Sequence, residues 1–190
     1  MLKFTQFETT IGEIGLIWNE NTQLLKQVIL PNARTGKTNT TRIKYQELET
    51  QTKPPEYISN VMSLIEKLIH GKNINIPIDL LDFNETTNFQ KQVLNQQRKI
   101  PHAKVTTYKQ IARQINKPRS IRPTANALAN NKFPLIMPCH RTVKSDWTLG
   151  GYAGNKEGHI KQILLENEGI KIENGKIHEK YRYSPTTIRY

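Results

Sequence analysis

The sequence predicts an α+β fold: a small β-rich N-terminal domain with one or two helices, then a mostly helical C-terminal domain containing a helix-turn-helix. Three observations predict it. Two apolar segments, residues 13–18 and 24–30, flank the turn-forming Asn19-Glu20-Asn21-Thr22, as in a hairpin or meander. Ile58, Val61, Met62, Ile65, Leu68 and Ile69 then recur at helical spacing. After Thr86 a series of short helical patterns is punctuated by Pro101 and Pro118.

Taken in order, Phe4, Gln6 and Glu8 alternate weakly as a first strand, and Pro31-Asn32 closes the β segment. Residues 34–56 shift to Thr, Asn, Lys and Gln and end at Pro54-Pro55, which predicts a mobile loop with a helical turn around residues 45–48. The amphipathic helix that follows stops at Gly71, a natural C′ residue. Residues 74–81 are expected to return as one more strand, and Asp82-Phe83-Asn84-Glu85 to link two domains, 1–83 and 84–190. In the second, Thr86 or Thr87 caps a helix bearing Phe89, Val93, Leu94 and Ile100, ended by Pro101. Residues 105–115 read as a capped short helix and residues 120–130 as a second, with Pro123 in the first turn, where proline is tolerated. Helix, short break, helix is a helix-turn-helix pattern. Ile160, Ile163, Leu164 and Asn167 mark a last helix ended by Gly169, completing a core of 86–170. Beyond it, residues 171–190 comprise a hairpin around Asn174-Gly175 and a tail from His178 expected to be poorly ordered.

The net charge of the 190 residues is +12, and its distribution is informative. Between Glu85 and Asp146 there is no Asp or Glu, while twelve Lys and Arg residues lie there and carry the whole excess. Such a window favours a polyanion by counterion release, with nucleic acid first. A membrane surface is disfavoured, because no basic amphipathic helix has an aromatic face. No apolar run approaches the roughly 20 residues that span a bilayer, and the N-terminus lacks the basic-then-apolar pattern of a signal peptide. A cytoplasmic, reducing location is expected. The glycines of Leu149-Gly150-Gly151-Tyr152-Ala153-Gly154 fit neither phosphate-binding pattern, which excludes a nucleotide site there.

Cys139 is the only cysteine, in Pro138-Cys139-His140-Arg141. It has no internal disulfide partner, and one thiol cannot build a structural zinc site. It is therefore an inert buried thiol or a nucleophile. Neighbouring His and Arg favour the thiolate, and Pro138 fixes φ just before it. The apolar run 133–137 would present the thiol at the end of a strand.

Pro138-Cys139-His140-Arg141 resembles the active-site signature of the O6-alkylguanine-DNA alkyltransferases, the methylated-DNA:protein-cysteine methyltransferases. The resemblance runs from about Phe89 to Gly169, with a weaker echo at Thr10-Ile11-Gly12 and Ile29-Leu30-Pro31. It implies direct, stoichiometric transfer of an alkyl group from guanine O6 in duplex DNA to Cys139, with the base flipped out, no turnover, no cofactor or metal, and a monomer in solution. It implies that His140 acts as a base through a water and that Glu168 orients it. Tyr108 would contact the flipped guanine and help neutralise it as a leaving group, and Asn131 would be the hinge between recognition helix and active-site segment. DNA would be held by Arg122, the arginine finger, with Arg119, Tyr108, Thr107, Ala125 and Ala129; Tyr152, Ala153, Gly154 and Thr142 would enclose the base. Arg141 would be structural. From the residues alone, Glu168 reads rather as a solvated helix end, Tyr108 equally as a core aromatic, and Arg122 alternatively as a phosphate contact.

The chain departs from the family at Pro123, Thr124 and Asn126, where small residues usually follow the arginine finger, and at Lys132-Phe133 and Thr142. Two other readings stand beside this one. A non-catalytic lesion-binding protein would lack the acceptor cysteine; a helix-turn-helix regulator would read operator half-sites, usually as a dimer.

Overall fold

The computed structural model describes residues 1–32, 34–39, 43, 48–152 and 158–184. The chain divides into two compact units: residues 1–85 with 132–136, and residues 86–131 with 137–190. Residues 132–136, which the sequence reading places inside the second domain, belong to the first unit.

In the first unit, β1 (Leu2–Phe7), β2 (Ile14–Asn19), β3 (Leu24–Ile29) and β4 (Glu49–Thr50) form one sheet in the order β3-β2-β1-β4. The pairs β1–β2 and β2–β3 are antiparallel and β1–β4 is parallel. β2 is buried almost throughout, with Ile14, Leu16, Ile17 and Trp18 inaccessible, which is why its apolar run is nearly continuous rather than alternating. Part of the expected mobile loop is thus ordered as the edge strand β4, and the helical turn expected at 45–48 lies largely outside the described residues. Helix α1 (Glu56–Ile69) buries Ile58, Val61, Ile65 and Ile69 along one stripe and ends where Gly71 takes φ 71°. The strand expected at 74–81 does not form. Pro77 leads into a single 3₁₀ turn, Ile78–Leu80, and only Leu81 bridges to Leu25 of β3. Proline lacks the ladder donor that a strand needs at that point.

In the second unit, α2 (Asn88–Arg98) begins with a capping box between Thr87 and Gln90. The helix expected over 105–115 is shorter: residues Thr106–Thr107 form strand β5, and α3 (Tyr108–Gln114) starts after them with a second capping box, Thr107 with Gln110. The β-branched pair favours extended backbone, and the threonine cap then sets where the helix starts. Helix α4 (Ile121–Ala129) follows the break at 115–120 and completes the helix-turn-helix. β6 (Thr142–Val143) pairs in parallel with β5, Thr106 against Thr142 and Thr107 against Val143. Helix α5 (His159–Asn167) and the hairpin β7 (Ile172–Glu173) and β8 (Lys176–Ile177) come last. Asn174 and Gly175 both have positive φ, as a two-residue hairpin turn requires. The tail is not poorly ordered over its first part: residues 178–184 include a 3₁₀ turn, Glu179–Tyr181, and bond to Val105. Among the described residues no helix is long and apolar enough to cross a membrane.

Candidate active site

The segment leading to Cys139 is not a strand. Pro138 has φ −75° and ψ 60°, and the Cys139 N–H donates to the Met137 carbonyl at 2.7 Å, the geometry of an inverse γ-turn. Proline's fixed φ suits the centre of that turn, which delivers Cys139 to the first position of a 3₁₀ turn, Cys139–Arg141. Gln97 of α2 holds the bend, its Nε2 donating to the Pro138 carbonyl at 2.5 Å while its Oε1 accepts from the Thr142 hydroxyl.

Cys139 is 7% exposed. The Asn131 amide donates from Nδ2 to Sγ at 3.2 Å and to the Met137 carbonyl at 3.0 Å, and the Tyr152 hydroxyl lies 3.7 Å from Sγ. Burial pushes the thiol's pKa up, and Asn131, Tyr152 and the Lys161 charge only partly oppose it, so Cys139 rests as a thiol.

His140 is buried, with Nε2 2.8 Å from Glu168 Oε1. Burial lowers the histidine's pKa more than Glu168 raises it, so the ring is neutral. Burial also pushes the Glu168 carboxyl up, but His140 and Arg141 together outweigh it and hold it at about 2. An ionised Glu168 accepts only, which assigns the ring proton to Nε2 and leaves the Nδ1 lone pair as an acceptor. Nδ1 is buried and has no hydrogen-bond partner among the described residues.

Glu168 is a hub. Arg141 Nε donates to both carboxylate oxygens at 3.0 Å, its NH2 lies 2.9 Å from Oε1, and its NH1 donates to the Ile100 carbonyl at 3.1 Å. The Ala103 N–H completes the set at 3.1 Å from Oε2. Glu168 caps the C-terminus of α5 and is buried rather than solvated, because Gly169 at φ 82° stops the helix there.

Pairing of β5 with β6 sets Tyr108, at the start of α3, beside the segment that carries Cys139. Burial, and then the charge of Cys139 once it ionises, raise the Tyr108 phenol to about 12, so it remains a proton donor. Lys161 of α5 lies 6.0 Å from the Tyr108 ring centroid. It is wholly inaccessible, donates from Nζ to the Thr142 and Leu149 carbonyls at 2.6 and 2.8 Å, and burial pulls it to about 7.

Asn131, Cys139, His140, Tyr152 and Glu168 are thus brought together, with Tyr108 beside them. Thr142 is fully buried in β6 on Gln97 and forms part of the wall, not the loop expected over the base. Ala153 and Gly154 lie outside the described residues. Arg119, Arg122 and Ala129 are exposed on or just before α4, Ala125 is half-buried, and Thr107 is a buried cap. Thr124, bulkier than the family's usual residue there, points inward, with its hydroxyl on the Ser120 carbonyl at 2.7 Å; Pro123 and Asn126 are exposed. Sequence reasoning missed Gln97 and Lys161. Each falls on the apolar stripe of its helix, Gln97 one turn after Val93 and Lys161 one turn before Leu165, and a polar group at such a position is the signal that could have found it.

A protein-family model for the 6-O-methylguanine DNA methyltransferase DNA binding domain matches residues 88–170. The methylated-DNA–protein-cysteine methyltransferase of Methanothermobacter thermautotrophicus is 35% identical over 162 residues, covering 85% of this chain and 82% of that one. The enzyme of the same name from Saccharomyces cerevisiae is 31% identical over 180 residues, covering 88% and 93%. The crystal structure of O6-methylguanine-DNA methyltransferase from the archaeon Pyrococcus kodakaraensis superposes with a TM-score of 0.64 at 25% identity, covering 90% of this chain and 100% of that one. With a proline-turned cysteine, a carboxylate-oriented histidine next in sequence and this similarity to those enzymes along most of its length, the chain belongs to the methylated-DNA–protein-cysteine methyltransferase family.

Proposed function

We propose that this protein repairs duplex DNA by moving an alkyl group from guanine O6 to Sγ of Cys139, once per chain. The observation that carries the reading is the buried Cys139 thiol beside a neutral His140 whose Nε2 is engaged by Glu168 and whose Nδ1 lone pair is unused. A thiol raised by burial is a poor nucleophile until it loses its proton, and a neutral imidazole oriented by a carboxylate is a suitable base. His140 Nδ1 takes the thiol proton through a bridging water. Sγ then attacks the alkyl carbon in line; the S–C bond forms as the C–O6 bond breaks, and its electron pair leaves on guanine. Tyr108 donates its phenolic proton to the departing base, and the proton held by His140 restores Tyr108. The products are S-alkylcysteine and guanine, with no proton gained or lost.

The target atom lies inside the stacked duplex, so the base must be flipped out. The acid-free basic window and the helix-turn-helix with exposed Arg119 and Arg122 support duplex binding, with Arg122 filling the space the base leaves. Tyr152 encloses the flipped base. A thioether has no easy leaving path, so the site is spent after one transfer, and a reducing cytoplasmic compartment suits a reaction that consumes a free thiol.

Equimolar protein and duplex DNA carrying one O6-methylguanine test the reading by intact mass. A gain of about 14 Da, once per chain and absent in Cys139→Ala, is expected for transfer to the thiol. Tight lesion binding without a mass gain would leave a recognition protein, and no lesion preference would leave a regulator.

A further inference from the structure

Residues 178–184 lie beyond the 88–170 match to the family's DNA-binding domain, yet they are tied to Val105, at the head of the strand that ends just before Tyr108. The Val105 N–H donates to the Tyr181 carbonyl at 2.8 Å, and the Tyr183 N–H donates to the Val105 carbonyl at 2.7 Å, so both backbone groups of Val105 are taken by this segment in a parallel bridge with Arg182. Thr106 and Thr107, next in the chain, pair on their other side with Thr142 and Val143. The strap therefore extends the short β5–β6 pair by one more chain, immediately before Tyr108.

Side chains reinforce it. The Arg182 guanidinium stacks 4.9 Å from the Trp147 ring centroid and donates from Nε and NH2 to the Ile177 carbonyl at 3.1 and 3.0 Å. Gln110, whose side-chain Oε1 closes the cap at the start of α3 by accepting from the Thr107 N–H, also donates from Nε2 to the Ser184 hydroxyl. Tyr181 packs on the cluster Val105, Val143, Leu165, Ile170 and Ile177. Val105 lies three residues before Tyr108 and Leu165 three before Glu168, so the core this strap covers backs the site.

We infer that the strap 178–184 is a positioning element for the transfer reaction, holding β5 so that Tyr108 meets the departing base. The inference rests on the role of Tyr108 in the reaction proposed above. A strand of two residues with one partner is too short to fix an aromatic side chain by itself, and a misplacement of about 1 Å at a reacting group costs up to about 100-fold in rate.

The test uses the full-length chain with Tyr183→Pro, which deletes the amide donor to Val105, beside Tyr183→Ala, which keeps it. Single-turnover methyl transfer is measured at saturating lesion duplex, with the dissociation constant measured separately, each also in a Tyr108→Phe background. The expected result is a fall in the saturated rate of about tenfold for Tyr183→Pro, a smaller one for Tyr183→Ala, affinity within about twofold, and no further loss when Tyr108 is already Phe, since residues acting through one another are non-additive. An unchanged rate, a loss confined to affinity, an equal loss for Ala and Pro, or the same loss in the Tyr108→Phe background would overturn the inference. Should Tyr183→Pro unfold, as its thermal melt would show, Arg182→Ala takes its place in the same cycle, and an unchanged rate, a loss confined to affinity, or the same loss in the Tyr108→Phe background would overturn the inference. Absence of transfer by the unmodified chain would instead defeat the reaction itself, so the two failures are told apart.

Discussion

His140 and Glu168 meet at 2.8 Å with both side chains buried, and Arg141 grips both oxygens of the same carboxylate. Two cationic or proton-donating partners on one buried acid mean that Glu168 sets both the orientation of the base and the integrity of the loop. Glu168→Gln keeps the shape but removes the charge and offers an amide N–H where an acceptor is needed. The expected outcome is a fall in transfer rate of about 100-fold or more and a loss of stability of about 3 kcal/mol, the scale for breaking a buried pair. Single-turnover transfer and chemical denaturation check the two separately.

The same residue shapes the response to acid. A carboxyl held at about 2 when folded and near its ordinary value when unfolded contributes stability that is complete above about 4.5 and is lost as pH falls toward 2. Lys161 acts at the other end. Its amine, pulled to about 7 by burial, binds fewer protons folded than unfolded between about 7 and 10.5, so stability climbs with pH across that window. Denaturation midpoints across pH should show both slopes, the acid one missing in Glu168→Gln and the alkaline one missing in Lys161→Met.

Cys139 should titrate late. Iodoacetamide labelling of the DNA-free protein is expected to keep accelerating above pH 9, because burial raises the thiol. Asn131→Ala removes the amide that donates to Sγ and to the Met137 carbonyl, and shifts the labelling curve further up while lowering the transfer rate about tenfold. A curve with a midpoint near 7 would contradict this resting state.

Two helix caps offer an internal control. Thr87 and Thr107 each close a capping box with a glutamine three residues on, and either threonine changed to Ala should cost about 1 kcal/mol. Only Thr107→Ala should slow methyl transfer, because Tyr108 follows it directly. Equal rates for the two variants would separate the start of α3 from the chemistry.

Helix α2 was legible because threonine cap, apolar stripe and Pro101 agree, and the β7–β8 hairpin because Asn174-Gly175 admits few other conformations. The family signature led to Asn131, Cys139, His140 and Glu168, which then prove to be neighbours in space. What was illegible depended on partners distant in the chain. The β-branched pair Thr106–Thr107 leans toward extended backbone, but it takes residues 142–143 and the strap flanking that stretch to make it a strand, and the strap's own composition looks like a solvated tail until Val105 is supplied. Gln97 and Lys161 were overlooked because their hydrogen bonds go to carbonyls of the Cys139 loop and its surroundings, which no helical pattern encodes.

Residues 132–136 limit how this protein can be divided. They belong to the first unit although the second supplies the residues on both sides, with Phe133 against Phe83 at 5.1 Å between ring centroids and the Val28 N–H on the Lys132 carbonyl at 2.8 Å. The polypeptide accordingly passes from one unit to the other three times. A piece beginning at Thr86 would carry Phe133 and Leu135, both nearly inaccessible in the whole protein, without the first-unit residues that they group with. Gene fusion, exchange of N-terminal modules or use of the second unit as a minimal labelling tag would have to transplant or redesign these five residues as well.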